Sequence, residues 1–430
     1  MKQILKYYNL FYIFMCIIWP PFRLYILKVD GAGMTIMIMS ILVILLNLLE
    51  FWKKKELFTT PAMICWITLL CYSLWNVFTK GFNTEFSTFK FLRVNFFDSF
   101  VLLLITMLEL NRNKEKALWV LWIALCTYLL IGLPSFGIRG DEGRYGTEGI
   151  GNLYPLHTVT FLFVSSLLFA EDKIKLSIFI LIVVGISIII LLSGTRKAFG
   201  AEAIILLGVV LNNSKKKTFW SWVRIVVLGG VLLYGVFYVM NNTLIGERIF
   251  ASVDDDDFYV QLVENNKIND FLMLLLGDRA VMYEMGIELF HENFWTGIGL
   301  TNYKDMSGGE LRLHSEYMVQ LCENGLIGFI LLMLFYVLLM TGLIFNRKDD
   351  DNRKTKMAFW GLFTLLFLNL TSWTYCQNFA MVFYAILLTS AYPDLKINNV
   401  VENNENRHPS QREQFQQSLD KIFGTKPDRV

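Results

Sequence analysis

LSIFILIVVGISIIILLSGTRKAFGAEAIILLGVVL, residues 176–211, decides the fold. Its first eighteen residues, 176–193, hold no charged side chain, and an uncharged apolar run of about that length reads as a membrane-crossing helix. A second apolar run, 198–211, follows after the four-residue turn 194–197. Two such helices joined by so short a turn must run antiparallel. The turn carries Arg196 beside Ser193, Gly194 and Thr195, small residues that let another group approach closely.

The same pattern repeats along the chain. Of its 430 residues, 55% are hydrophobic, and the mean hydropathy is +0.47, more apolar surface than a soluble protein of this size needs. The apolar runs predict an all-α polytopic membrane protein with about twelve spans. They lie near 7–27, 33–51, 58–78, 89–110, 117–136, 154–170, 176–193, 198–211, 220–240, 325–345, 357–373 and 379–392. Pro20-Pro21 breaks the first span and predicts a kinked or re-entrant segment there. The N-terminus has no small-residue cleavage site before these prolines and reads as an uncleaved first helix.

Charge placement sets the sidedness. The net charge of +2 says little by itself. Lys2 and Lys6 precede the first span, and Lys53-Lys54-Lys55 follow the second. Arg112, Lys114 and Lys116 follow the fourth, Lys173 and Lys175 the sixth, and Lys215-Lys216-Lys217 the eighth. Arg347, Lys348, Arg353, Lys354 and Lys356 follow the tenth. Every cluster falls on one side of the bundle, which puts both termini in the cytoplasm under the positive-inside rule. The six cysteines are scattered without a CxxC pair, so neither a zinc site nor a disulfide framework is indicated.

Three segments then face outward. One is RGDEGRYGTEGIGNL, 139–153. The second is the turn 194–197. The third is the loop 241–322, about eighty residues between the ninth and tenth spans and far longer than an ordinary connection. Residues 1–392 form the membrane domain, and 393–430 a polar cytoplasmic tail.

The candidate chemistry lies on these segments. Arg196 in the turn is costly at that depth unless it meets water, a partner or an anionic ligand. An interfacial arginine that snorkels is the bland alternative. Arg279 opens a helical pattern in GDRAVMYEMGIELFHENFWTGIGLTNY, 277–303. The helix dipole disfavours a cation there, so an anionic partner would remove the objection; a salt bridge to Asp278 or Glu284 would do the same. Gly297-Ile298-Gly299 forces a turn.

His314, one of four histidines, starts HSEYMVQLCENGLIG, 314–328. An imidazole at the membrane boundary suits a general base; a helix-capping histidine is the alternative. Glu323 and Gly325 close the turn into the tenth span. Arg139 and Arg144, among glycines, could meet phosphate or sugar, or simply be solvated. Asp254–Asp257 lack an ordered liganding pattern and read as a solvated acidic turn. Arg93, Asp98 and Glu202 inside spans point to a polar cavity or buried pair. His157 and His291 read as structural.

In this order, the SGTR turn, GDRAVMYEMGIELFHENFWTGIGLTNY and HSEYMVQLCENGLIG entering a helix resemble the O-antigen ligase and O-antigen polymerase superfamily over roughly residues 190–335. Tyr283 stands where members often carry Trp, and Trp295-Thr296 where Pro-Leu is common. The resemblance implies a GT-C-type membrane glycosyltransferase that uses undecaprenyl-pyrophosphate-linked glycans without metal or cofactor. It implies Arg196, Arg279 and His314 as catalytic residues; Arg139, Arg144 and Glu323 are weaker substrate-binding candidates from their own positions in the sequence, not from the resemblance.

The expected activity is polymerisation of lipid-linked repeat units at the outer face of a bacterial cytoplasmic membrane. A ligase that transfers finished glycan to a lipid or protein acceptor is the alternative. Membrane lipids, a chain-length regulator and a flippase are the expected partners, and nucleic acid is not. A transporter or flippase is the competing class, but no internal repeat of interrupted helices supports it.

Overall fold

Backbone N–H and C=O groups find no partners in hydrocarbon, so each apolar run must close its own hydrogen bonds. In the computed structural model of the chain they do so as helices. The structure describes residues 2–29, 33–80, 98–139, 144–147, 153–193, 195–213, 278–307, 313–346, 353–372, 374 and 377–393. The ninth expected span, Arg93, the acidic run at 254–257 and the tail beyond residue 393 lie outside them.

The helices are α1 (Lys2–Pro21), α2 (Gly33–Lys53), α3 (Pro61–Lys80), α4 (Val101–Arg112), α5 (Lys114–Gly132) and α6 (Leu153–Ala170). They continue as α7 (Leu176–Ser193), α8 (Arg196–Asn213), α9 (Asp278–Glu292), α10 (Glu316–Asn346), α11 (Arg353–Thr371) and α12 (Asn378–Ala391). Helices thus stand at the first eight and the last three expected spans, the fourth of them described only from residue 98 onward, and α9 falls within residues 241–322. Among the described residues, 7 helical stretches are long and apolar enough to cross a membrane. The chain is an all-α polytopic membrane protein.

The double proline ends α1, and a π-helical turn, Phe22–Leu27, carries the chain onward. Lys28 then takes a left-handed φ of 55°. The helix changes from α to π at the prolines but stays one helical stretch, Leu5–Leu27, and ends only at Lys28.

A hairpin, which the apolar runs do not predict, joins α5 to α6. β1 (Phe136–Arg139) pairs antiparallel with β2 (Arg144–Thr147). The signal was available: two short runs flank Gly140-Asp141-Glu142-Gly143, a turn-forming cluster.

The core is centred on α4, α6 and α12. Every residue from Phe379 to Ala391 in α12 is buried, as is every residue from Val101 to Leu110 in α4. The Phe163 and Phe383 rings stack 4.4 Å apart between α6 and α12. At the periphery, α7 leaves Ile180, Leu181, Val184 and Ile188 exposed, the face such a helix would turn to lipid. Close packing uses small residues: a Cβ at Gly208 of α8 would come within 2.5 Å of the Trp360 ring on α11.

Ion pairs gather the loops at one end of the bundle. Arg112 Nη1 meets Glu109 Oε1 at 2.6 Å, and its Nη2 meets Glu50 at 3.3 Å. Asn9 donates to Glu109 at 2.8 Å and to Asn47 at 3.0 Å. Lys173 pairs with Glu115 at 2.9 Å, Arg353 with Asp172 at 2.8 Å, and Lys354 with Glu171 at 2.8 Å. These contacts join the connections after α2, α4 and α6 to the start of α11. Among the described residues, basic groups from three of the clusters read from the sequence, Arg112, Lys173, Arg353 and Lys354, are thus gathered at this end.

Candidate active site

The opposite end is defined by topology. Helices α3, α5, α7 and α11 start at the ion-paired end and finish at the other. The hairpin, the turn before α8, the start of α10 and the residues after α11 therefore share that far end. His157, on α6, is buried there as a structural residue. Its Nδ1 lies 2.8 Å from Leu153 O, and its ring stacks 4.1 Å from Tyr128. That agrees with the structural role expected of this histidine.

The last residues of α11 and Thr374 just after it are the hub of this end. Lys197, next to Arg196, reaches Thr371 O at 3.5 Å. Ser315, next to His314, donates to Asn369 O at 3.2 Å. Glu316 Oε2 accepts from the Thr374 backbone N–H at 2.7 Å. The backbone positions of Arg196 and His314 thus flank one segment, 369–374. His314 is exposed, while its neighbours Leu313, Ser315 and Glu316 are buried.

Arg279 lies in the first turn of α9. A small second core holds this helix in place: Val77, Met282, Ile298, Leu300, Leu313 and Cys322 are among its buried members. The Tyr303 hydroxyl donates to Met282 O at 2.7 Å. A Cβ on Gly286 would sit 3.4 Å from the Leu313 side chain. Helix α9 therefore lies against the residue that precedes His314, and Arg279 is seven residues up the helix, about 10 Å along the axis.

The loop after α9 does not stop at a turn. It enters a break in α10. That helix runs over Glu316–Asn346 but is kinked at Gly325, which has φ 66° and ψ −169°. Ile298 N–H donates to Cys322 O at 3.0 Å and Gly299 N–H to Glu323 O at 2.9 Å. On the other side of the break, Leu326 N–H donates to Phe294 O at 2.9 Å. The loop thus satisfies main-chain groups that the break frees, as buried backbone requires.

Gly297, with φ 68°, packs directly on Gly325. A Cβ on Gly325 would lie 2.5 Å from Gly297 N and Trp295 O, and one on Gly297 would lie 2.5 Å from Gly325 N. Only glycine fits both the space and the left-handed backbone. The sequence showed both glycines as turn formers but not that they touch.

Glu323 is 6% exposed, and its Oε2 accepts from the Thr301 backbone N–H at 2.8 Å. The structure engages this carboxylate in holding the loop. Arg139 and Arg144 are register partners across the hairpin, which connects α5 to α6 at this same end. Glu202 is buried in α8 and accepts from the Ser187 hydroxyl of α7, a buried pair of the kind the sequence suggested.

The fold and this end together define a class: a multi-pass membrane protein whose discontinuous helix and long-loop helix gather polar residues at one end. Residues 180–333 match the family model described as O-Antigen ligase. The match runs from α7 into α10 and includes Arg196, Arg279, His314 and Glu323. This region is thus similar to that family, which supports an O-antigen ligase/polymerase-like superfamily. No curated protein matches the chain significantly.

Proposed function

We propose that the protein polymerises undecaprenyl-pyrophosphate-linked oligosaccharide repeat units at the outer face of a bacterial cytoplasmic membrane. The observation that supports this reading is that the backbones carrying Arg196 and His314 flank residues 369–374, and that α9, which carries Arg279, packs on Leu313, at the end opposite the basic, ion-paired loops.

In the proposed reaction, a hydroxyl of the acceptor repeat unit attacks the anomeric carbon of the growing chain. A carbon–oxygen bond forms to the acceptor. The bond from the anomeric carbon to the diphosphate breaks, and its electron pair leaves on the lipid diphosphate. His314 takes the acceptor proton, a role suited to an imidazole near neutral pH. Arg196 and Arg279 bind the diphosphate, because guanidinium forks match phosphate oxygens and stabilise charge that grows in the transition state. Cleavage of the diphosphate ester drives the reaction, so the residues named need no nucleotide or metal. Arg139 and Arg144 are assigned to the glycan or its phosphate, and Glu323 acts through the loop it holds.

The family description favours a second reading, in which the finished glycan passes to a lipid or protein acceptor. Deletion separates the two. Cells lacking a polymerase keep surface glycan of single repeat units. Cells lacking a ligase accumulate full-length polymer on undecaprenyl pyrophosphate. Normal long-chain surface glycan in the deletion strain would refute both.

A further inference from the structure

Glu316 is fully buried, two residues beyond His314. Three amide side chains lead to it, each donating to the next. Asn76 Nδ2 donates to Asn324 Oδ1 at 3.3 Å, Asn324 Nδ2 to Gln320 Oε1 at 2.8 Å, and Gln320 Nε2 to Glu316 Oε1 at 2.9 Å. All four residues are at most 1% exposed. Glu316, Gln320 and Asn324 follow one another at four-residue intervals on one face of α10. The direction of the chain has a chemical cause. An ionised carboxylate only accepts, so the amide beside it must present its NH2, and that orientation is passed along the row. Aligned amides also polarise one another in a medium of low dielectric.

The other carboxylate oxygen, Oε2, takes the Thr374 N–H at 2.7 Å. Thr374 Oγ1 in turn donates to Asn369 Oδ1 at 2.6 Å, and Asn369 Nδ2 donates to the Tyr336 hydroxyl at 2.5 Å. At the far end of the row, Asn76 Nδ2 also reaches the Thr296 carbonyl at 2.5 Å. One carboxylate therefore ties together the start of α10, the segment 369–374 that meets Lys197, and the loop that follows α9.

We propose that Glu316 is a positioning residue for His314. Its two carboxylate oxygens, both accepting N–H groups, set the polarity of the amide row and clamp residue 374. Together these fix the backbone that carries His314 beside the segment that Lys197 reaches. The proposal rests on the reading of His314 as the base. It assigns Glu316 no contact with substrate. Replacement by Gln keeps the shape but places an NH2 against either the Thr374 N–H or the Gln320 NH2. The row must then reverse or lose a bond.

The test uses the full-length protein in detergent, with lipid-linked repeat units extracted from cells lacking its gene. Glu316→Gln is expected to lower kcat at least tenfold with KM within twofold, and Glu316→Asp, still acceptor-only, to recover part of that loss. A merely structural role would give unfolding that tracks activity, and no recovery by Asp at equal thermal stability. Should Glu316→Gln fail to reach the membrane, Gln320→Leu takes its place. It removes the first amide and is expected to lower kcat severalfold at unchanged KM. Wild-type kcat in either folded variant, with His314→Ala inactive, would overturn the positioning role and leave the base assignment standing. An active His314→Ala would overturn both.

Discussion

The two ends of the bundle are held by different interactions. At one end, long cationic side chains reach carboxylates of other elements: Arg112 to Glu50, Arg353 to Asp172, Lys354 to Glu171. At the other, carboxylates accept from main-chain N–H groups, amides form a directed row, and two glycines interlock backbone to backbone. The first arrangement joins loops and tolerates small shifts. The second fixes positions to within a fraction of an ångström, because a backbone contact leaves no rotamer freedom to absorb error. A site that must hold reacting groups in register needs the second kind.

The sharpest break of that comparison comes from the site end. Alanine at His314, Arg196 or Arg279 should lower polymer formation about 10²-fold or more while protein still reaches the membrane, read by glycan chain length and immunoblot. Next is Gly325→Ala. The left-handed backbone alone costs about 1–3 kcal/mol, and the added methyl meets Gly297 and Trp295 main-chain atoms at 2.5–2.6 Å. Both thermal stability in detergent and activity should fall, with activity falling further than stability predicts, since the interlock holds the loop joining α9 to α10.

At the ion-paired end the expected effects divide by burial. Glu109 is 1% exposed, so Glu109→Ala takes one partner each from Arg112, which keeps Glu50, and Asn9, which keeps Asn47, and should destabilise by about 1–3 kcal/mol. Activity of the fraction that folds should stay near wild type. Arg353→Ala should be the mildest, within about 1 kcal/mol, because its partner Asp172 is largely exposed. A large loss of turnover in folded Glu109→Ala protein would show that the two ends are not separable in this way.

Much of the fold was legible because hydrophobic length is a coarse signal. The run 176–193 coincides with α7, and among the described residues Lys173, Arg353 and Lys354, basic residues after even-numbered spans, pair with the connections around α4–α6. Arg196, Arg279 and His314 stood out because charge and imidazole are rare at such positions. The hairpin at 136–147 did not, since its strands are only 4 residues each and lie among glycines. The amide row was visible only in part. Glu316, Gln320 and Asn324 recur every fourth residue, but their partners Ser73, Asn76 and Thr374 are hundreds or tens of residues away. The Gly297–Gly325 contact is likewise non-local, and no local pattern distinguishes a turn glycine from one that meets another backbone.

The most direct test of the central claim is release of undecaprenyl pyrophosphate by the purified protein supplied with extracted lipid-linked repeat units. The account predicts that wild-type protein releases one lipid diphosphate for each glycan joined, and that His314→Ala, Arg196→Ala and Arg279→Ala each release almost none while unfolding at the wild-type temperature. Release at the wild-type rate by all three variants would contradict it.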